Sequence, residues 1–122
     1  MPILDIEFVA SDSDPGLPVN LTQSLADATA RVFGAAEGTV WVKLCVIPST
    51  QYAENGGTPK GISPVFITVL ESRVQKGSEL KKKIAELTQI IAEILERPEA
   101  NVHIFYQPEG AGRVAFGGKL VE

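Results

Sequence analysis

The chain has 122 residues, a formal net charge of −4 at pH 7 and a pI near 5.0. This length suits one domain with one hydrophobic core, and 44% hydrophobic with 21% charged residues is ordinary for a soluble globular protein. The acidic balance disfavours nucleic-acid binding, which requires a basic stripe. One cysteine and one histidine exclude an internal disulfide and disfavour a metal site.

Nothing in the sequence points to a membrane or to export. No apolar stretch reaches the roughly 18 residues that a membrane-spanning helix needs. The first residues carry acids rather than the basic segment of a signal peptide. The one basic cluster, residues 81–83, is typical of a solvated helix face. The sequence therefore predicts a cytoplasmic protein with no membrane contact.

The first half of the chain predicts a β-α-β unit. Residues 3–9 alternate imperfectly between apolar and polar types, as strands do. Apolar residues then recur at helical spacing over 21–32, with Asn20 and Gln23 as a capping box and Gly34 as the stop. Residues 40–47 are almost continuously apolar, which indicates a strand buried on both faces or beside a parallel neighbour, with Cys45 buried.

The second half repeats this order after a Gly/Pro-rich loop at 48–63. Residues 65–70 and 102–106 predict strands, and Ser78 is a candidate N-cap for the helix between them. Arg97 and Pro98 end that helix, and residues 114–116 predict a short extra strand before a Gly pair. The inner helix face should hold Leu80, Ile84, Leu87, Ile91 and either Ile94 or Leu95.

These elements describe one structural unit written twice. Pro2 and the strand after it recur at Pro64, a spacing of 62 residues, so we expect one domain over 1–122 with repeats at 1–62 and 63–122. The expected fold class is α+β: two β-α-β units related by a pseudo-twofold, one four-stranded mixed sheet, and both helices on one face. The other face needs a cover that so short a chain lacks, so we expect an oligomer.

Pro2 is a candidate catalytic base because it follows the initiator methionine. Removal of Met1 would turn its nitrogen into a secondary amine, and chain-terminal amines titrate at about 7.7–8.0. Burial lowers the pKa of an amine further, which yields a general base at neutral pH without a histidine. The alternative is that Pro2 merely starts an edge strand, where its missing N–H costs nothing.

Arg73 is the second candidate. If the first strands of the two units pair antiparallel, Pro2 lies beside the end of the third strand, which leads into Arg73, whereas Pro64 lies beside a segment without arginine. A guanidinium there can bind a carboxylate in bidentate fashion and depress the pKa of the amine. The alternative for Arg73 is an ordinary surface arginine.

At these residues the chain resembles the tautomerase superfamily, which includes 4-oxalocrotonate tautomerase, macrophage migration inhibitory factor and cis-3-chloroacrylic acid dehalogenase. The resemblance covers the whole length. Its motifs are the opening Met1-Pro2, residues 68–73 (TVLESR), and the stretch from 102–106 (VHIFY) through Gly112 to 116–118 (FGG). It implies a homotrimer of two-unit chains that uses the terminal proline as catalytic base or acid.

Residue by residue, the resemblance implies that Pro2 is the catalytic proline and that Arg73 holds a substrate carboxylate. His103 falls where the short enzymes have a second arginine, and Phe105 and Val114 fall at pocket positions that a neighbouring subunit supplies or that line the hydrophobic wall. With Phe116 they would keep the pocket free of water. Two departures matter: the pocket lysine of the inhibitory factor is Ala35 here, and the second arginine is replaced by Trp41 and His103.

The sequence thus predicts a keto–enol tautomerase of a small 2-oxo or 2-hydroxydienoic acid, with no cofactor and no metal. One alternative is a decarboxylase, hydratase or dehalogenase on the same scaffold, which needs a protonated proline and a base for water; Glu54 and Glu109 lie in loops that could supply it. Another is a non-enzymatic interaction protein that retains Met1.

Overall fold

Four strands form one mixed sheet in the order β2-β1-β3-β4. The computed structural model describes residues 2–11 and 18–122. The sheet strands are β1 (Ile3–Val9), β2 (Trp41–Ile47), β3 (Val65–Leu70) and β4 (Val102–Tyr106), and the helices are α1 (Leu21–Phe33) and α2 (Gly77–Leu95). A small separate hairpin follows, made of β5 (Ala115–Phe116) and β6 (Lys119–Leu120).

The antiparallel pair β1–β3 forms the centre of the sheet. Ile6 lies opposite Ile67 in this pair, and each central strand then pairs in parallel with the second strand of its own unit, β1 with β2 and β3 with β4. Each parallel pair is connected through a helix, as parallel strands require. The α+β class, the two β-α-β units and the four-stranded mixed sheet are therefore confirmed.

Both helices pack on one face of this sheet. Alternate residues of β1 and β3 face the helices and are almost fully buried, and the apolar stripes of α1 and α2 close over them. The shared core consists of Leu4, Ile6, Phe8, Leu21, Leu25, Val65, Ile67, Val69, Leu87, Ile91, Ala92, Leu95 and Val102. The period-two pattern of the strands and the helical spacing thus produce one core from both halves of the chain.

The C-terminal ends of the two helices agree with the sequence prediction, but the N-cap residues predicted for their N-terminal ends do not. Gly34 adopts φ 60° after α1, a left-handed conformation that favours glycine, and the amide of Ala35 donates to the carbonyl of Ala30 (2.9 Å). The predicted capping box is wrong, because Asn20 has φ −99° and ψ 12° and makes no side-chain cap, while the Gln23 amide donates to Asp27 (3.0 Å).

The second helix begins earlier than Ser78. It starts at Gly77 with Lys76 as the N-cap residue, and it ends at Leu95 before Glu96, which has φ 54°. Ser78 therefore lies inside the first turn. Boundaries shift by a residue or two because packing of the apolar face, rather than a single capping side chain, decides where the helix begins.

β2 lies parallel to β1, which confirms one of the two alternatives predicted for this apolar run. The other alternative, burial on both faces, is wrong. β2 forms an edge of the sheet, and in the single chain Trp41, Cys45 and Val46 are exposed. The prediction of a buried Cys45 is therefore wrong. A continuous apolar run on an edge strand leaves half of its side chains on the face that the helices do not cover.

The extra strand expected at 114–116 is present as β5, and its partner β6 went unpredicted. The two strands are joined by Gly117 and Gly118 with φ of 57° and 85°, positive values at both central positions of a tight hairpin turn. The hairpin returns to the main sheet, where the Phe116 ring packs edge-to-face on Trp41 at a centroid distance of 5.3 Å.

The sheet face opposite the helices carries large apolar side chains in the open. Trp41 is 44% and Phe105 is 55% exposed, and neither is covered by the described part of the chain. Among the described residues no helix is both long and apolar enough to cross a membrane. The prediction that a second copy of the chain covers this face stays a prediction.

Leu25→Ala should lower the free energy of unfolding by about 2–5 kcal/mol, because the side chain is fully buried between the helices and the sheet and leaves a cavity. Leu120→Ala is the matched control. Leu120 is 55% exposed, so its truncation should change stability by about 0.5 kcal/mol or less. Urea unfolding followed by circular dichroism measures both, and equal losses would contradict this core.

Candidate active site

Pro2 is buried directly before an inner strand of the sheet. Its carbonyl accepts a hydrogen bond from the amide of Trp41 (3.1 Å), which continues the β1–β2 pairing. β1 lies between β2 and β3, so the alternative that Pro2 merely starts an edge strand is wrong. A proline at the first position of an inner strand is tolerated only where its missing N–H removes no ladder bond.

The register of β1 and β3 brings Pro2 to the end of β3. Ile3 pairs with Leu70, so the next residues outward, Pro2 and Glu71, lie opposite each other. Arg73 follows two residues later in an exposed bend. Within the described residues, no carboxylate forms a salt bridge with Arg73. The guanidinium at this end of the sheet is thus available to a bound anion.

Pro64 is not the geometric counterpart of Pro2. Even-numbered residues of β1, such as Leu4, face the helices, whereas odd-numbered residues of β3, such as Val65, do so. A shift of 62 preserves parity, so alternation places Pro2 and Pro64 on opposite faces of their strands. Pro64 is buried too, and its carbonyl accepts a hydrogen bond from the amide of Val9 (3.0 Å).

A cavity of about 470 Å³ opens on the sheet face opposite the helices, near the same end. Ile3 and Leu70 form its floor, and the loop after β4 forms one wall. Gly110 holds that loop close: its amide donates to the Glu71 carbonyl (2.8 Å), and a Cβ at this position would lie 3.3 Å from Val114. The full lining is Ile3, Asp5, Lys43, Thr68, Leu70, Gln107, Pro108, Glu109, Gly110, Arg113 and Val114.

The cavity lining includes Val114 and Glu109 from the sequence analysis, and a cation, Arg113, that sequence reasoning missed. The other predicted site residues are not part of this lining: Pro2, Arg73, His103, Phe105 and Phe116. Lys43 is paired with Asp5 (2.9 Å), whereas Arg113 has no salt-bridge partner among the described residues. The sequence signal that could have identified Arg113 is its position between Gly112 and Val114, in the loop after β4. The cavity therefore combines apolar walls with a free positive charge, which suits a small carboxylate.

His103 and Phe105 lie far from Pro2 within one chain. Both are on the open face of β4, which is separated from β1 by β3, or about 10 Å. His103 pairs with Phe66, which pairs with Glu7, and Glu7 lies about 16 Å along the strand from Pro2. The rings of His103 and Phe66 are 5.6 Å apart. Neither residue can reach substrate at Pro2 unless it comes from another subunit.

Phe116 packs on the strand that pairs with Pro2. It packs on Trp41, the residue whose amide is bonded to the Pro2 carbonyl. The Trp41 indole donates to the Gly38 carbonyl (3.1 Å), which fixes the orientation of the ring. The two rings lie on the sheet face opposite the helices, where Trp41 pairs with Ile3.

A polar cluster of Glu71, Lys83 and Tyr106 lies on the helix side of the sheet at this end. Glu71 is only 9% exposed, and one carboxylate oxygen, Oε1, lies 3.6 Å from Lys83 Nζ. The ammonium also lies 4.4 Å from the centre of the Phe33 ring. Sequence reasoning missed this cluster, although Glu71 continues the core-facing positions Val65, Ile67 and Val69, where a carboxylate is unexpected.

Two buried polar atoms of the cluster lack partners. Neither Glu71 Oε2 nor the Tyr106 hydroxyl makes a hydrogen bond of good geometry with any described residue. Burial raises the pKa of the Tyr106 phenol above its ordinary value, and the nearby charge of Glu71 and a hydrogen-bonding contact with that carboxylate add to the shift. Tyr106 thus keeps its proton beside Glu71, while Glu71 Oε2 has no donor aligned well enough for a hydrogen bond of good geometry.

Tyr106→Phe should reduce the loss of stability at alkaline pH. Because the folded protein holds the phenol proton more tightly than the unfolded chain, the resulting stability is present below about pH 10 and is lost as the pH rises above it. Urea unfolding at pH 8 and pH 11 measures the difference. Tyr52→Phe is the control and should retain the loss due to Tyr106; an identical loss in wild type and Tyr106→Phe would contradict the assignment.

The fold matches solved structures, although no protein-family model and no curated protein matches the chain. Macrophage migration inhibitory factor from Trichinella spiralis superposes with a TM-score of 0.73 at 17% identity, over 97% of this chain and 98% of that one. A symmetric trimer of fused 4-OT gives 0.74 at 18% identity, over 98% and 94%. A protein inactivated by 2-oxo-3-pentynoate gives 0.71 at 20% identity, over 97% and 94%. The chain therefore has the fold of the tautomerase superfamily, as its terminal motifs predicted.

Proposed function

We propose that the protein is an isomerase, a keto–enol tautomerase of a small 2-oxo or 2-hydroxydienoic acid that needs no cofactor and works as a homotrimer. The observation that carries the proposal is the burial of Pro2 at the start of an inner strand, opposite the end of β3 that leads to Arg73. The fold supports it, because solved structures with this fold include fused 4-OT and migration inhibitory factors.

Catalysis by Pro2 requires the removal of Met1, which lies outside the described residues. The Pro2 nitrogen then takes the proton of the enol hydroxyl as the C–O π bond forms. The electrons of the former C=C bond take a proton back from the Pro2 ammonium at carbon, so the amine ends the cycle unchanged. Arg73 binds the carboxylate or stabilises the dienolate that develops between these steps.

The cavity supports a carboxylate substrate. Its apolar floor, Ile3 and Leu70, and the half-buried Val114 limit the water around the reacting atoms, while Arg113 adds a second cation. Exposed cations such as Arg73 and Arg113 gain strength where substrate binding displaces water from around them. A substrate with one carboxylate and one oxo or enol oxygen would use both an apolar and a charged part of this region.

The lyase and hydratase alternatives need a carboxylate that activates water, and the two suggested candidates are engaged elsewhere. Glu54 accepts a hydrogen bond from the Tyr52 hydroxyl (2.7 Å), and Glu109 Oε2 accepts one from the amide of Val74 (2.8 Å). Glu109 still lines the cavity, so hydration stays the second candidate. Isomerisation needs no such base, which favours it.

Pro2→Ala and Arg73→Ala should each lower tautomerase turnover by orders of magnitude. A general base contributes about 10²–10⁴-fold, and a lost charged hydrogen bond to a carboxylate costs about 1.5–3 kcal/mol. Phenylenolpyruvate and 2-hydroxymuconate are the test substrates, with the decay of the enol followed by absorbance.

Pro64→Ala and Arg31→Ala are the matched controls for these variants. Pro64 is buried like Pro2 but has an amide nitrogen, and Arg31 is an exposed arginine at the end of α1. Both should retain wild-type turnover. A wild-type protein that retains Met1 by intact-mass measurement, or that turns over neither substrate, would overturn the proposal and favour the interaction protein.

Mixed trimers should show whether His103 acts across a subunit boundary. Its distance from Pro2 within one chain predicts that Pro2→Ala and His103→Ala subunits, each weak alone, form some sites with both residues intact. Co-expression should therefore restore part of the activity above the sum of the two homotrimers. Activity equal to that sum, with mixed trimers verified by native mass spectrometry, would contradict a shared site.

A further inference from the structure

We propose that Glu71 is a positioning residue for the terminal amine of Pro2, whose N–H donates to the free Oε2 of the buried carboxylate. The proposal rests on the proposed function only in requiring that Met1 is removed. It gives the cluster of Glu71, Lys83 and Tyr106 a role that does not follow from the resemblance to the tautomerase superfamily.

The strand register places the two groups together. Pro2 and Glu71 lie opposite each other one residue beyond the Ile3–Leu70 pair, and directly opposed residues of antiparallel strands have Cβ atoms about 4.5–5.5 Å apart. Alternation directs both toward the helices, since Leu4 and Val69 on the same faces are fully buried. The glutamate side chain is long enough to reach the nitrogen across this distance.

Glu71 Oε2 has no well-aligned donor, although the Tyr106 hydroxyl lies beside the carboxylate, so it can accept the N–H that a terminal proline would supply. Lys83 Nζ lies 3.6 Å from Oε1, and Oε2 has no partner among the described residues. A proline nitrogen within the chain has no hydrogen to donate. Once Met1 is removed, the same nitrogen has one N–H when neutral and two when protonated. An unpaired buried acceptor is unfavourable, so this bond would stabilise the processed chain.

This hydrogen bond would determine where the reactive lone pair points. A neutral secondary amine has one N–H and one lone pair, so binding the N–H on the helix side turns the lone pair away from the helices. The cavity lies on the other face of the sheet, next to Ile3. Glu71 would thus orient the base without touching the substrate.

Glu71 should also raise the pKa of the amine, because an adjacent carboxylate favours the ammonium form. Lys83 from α2 and Tyr106 from β4 face Glu71, and Phe33 from α1 packs against Lys83. Further charges surround the cluster: Arg31, Glu79, Lys82 and Glu86 line the groove that includes Lys83, Asp5, Lys43, Glu109 and Arg113 line the cavity, and Arg73 lies in the bend after β3. The cations oppose Glu71, so the test compares variants rather than absolute values.

The experiment measures the amine directly, without turnover. Only the neutral amine adds to the alkyne carbon of 2-oxo-3-pentynoate: the new N–C bond forms, the amine proton moves to the neighbouring carbon, and the whole reagent mass remains attached. The rate of labelling at Pro2, followed by intact mass and peptide mapping, therefore reports the amine pKa when the pH is varied.

Glu71→Gln should lower the labelling midpoint by about one pH unit or more, so that labelling well below the midpoint becomes about tenfold faster or more. Lys83→Met should shift it in the opposite direction, because it removes the cation that offsets Glu71. Glu71→Asp should restore part of the wild-type midpoint. Glu93→Gln, which alters an exposed carboxylate of α2 ten residues after Lys83, is the control and should leave the midpoint unchanged.

The outcomes separate this proposal from the proposed function. Wild-type labelling with the expected shifts but no turnover of the enol substrates would support Glu71 and overturn the tautomerase. Midpoints of Glu71→Gln and Lys83→Met that both equal wild type would overturn Glu71 and leave the tautomerase standing. Glu71→Gln could fail to fold because Lys83 is left unpaired, and in that case the double variant with Lys83→Met removes both charges. An unshifted midpoint in the single variant Lys83→Met would then be enough to overturn the proposal.

Discussion

The antiparallel pairing of β1 with β3 is the constraint on which the rest of the structure depends. It joins the two β-α-β units into one sheet, places both helices on the same face and gives them one core centred on Ile6 and Ile67. The same pairing brings the start of the first unit to the end of the first strand of the second. Pro2, Glu71 and the bend with Arg73 are neighbours for this reason alone.

At the end of the sheet where Pro2 and Glu71 lie, the two faces of the sheet have different properties. On the helix side, burial makes the Glu71 carboxylate and the Lys83 ammonium sensitive to each other, since the dielectric there is low. On the other side, the cavity is open and holds Arg113. Pro2 is buried next to Glu71 on the helix side and is not among the residues that line the cavity.

The sequence predicted the parts of the structure that depend on periodicity. The strand β1, the two helix stops and the parallel pairing of β2 follow from alternation, from Gly34 and the Arg97-Pro98 pair, and from a continuous apolar run. The same run led to the wrong prediction for Cys45, because strand order decides which strand is an edge and no local pattern contains it. Glu71 was missed as a buried group for a related reason: its burial depends on the packing of α2, which supplies Lys83, 12 residues further along the chain.

The burial of Pro2 in an inner position has a practical consequence for handling the protein. Residues fused ahead of Pro2 would keep its nitrogen in a peptide bond, whereas Glu122 is exposed beyond β6. Purification handles and fluorescent reporters are therefore better placed after Glu122. The proposed chemistry requires a free Pro2 nitrogen, so a fusion ahead of Pro2 could not test it.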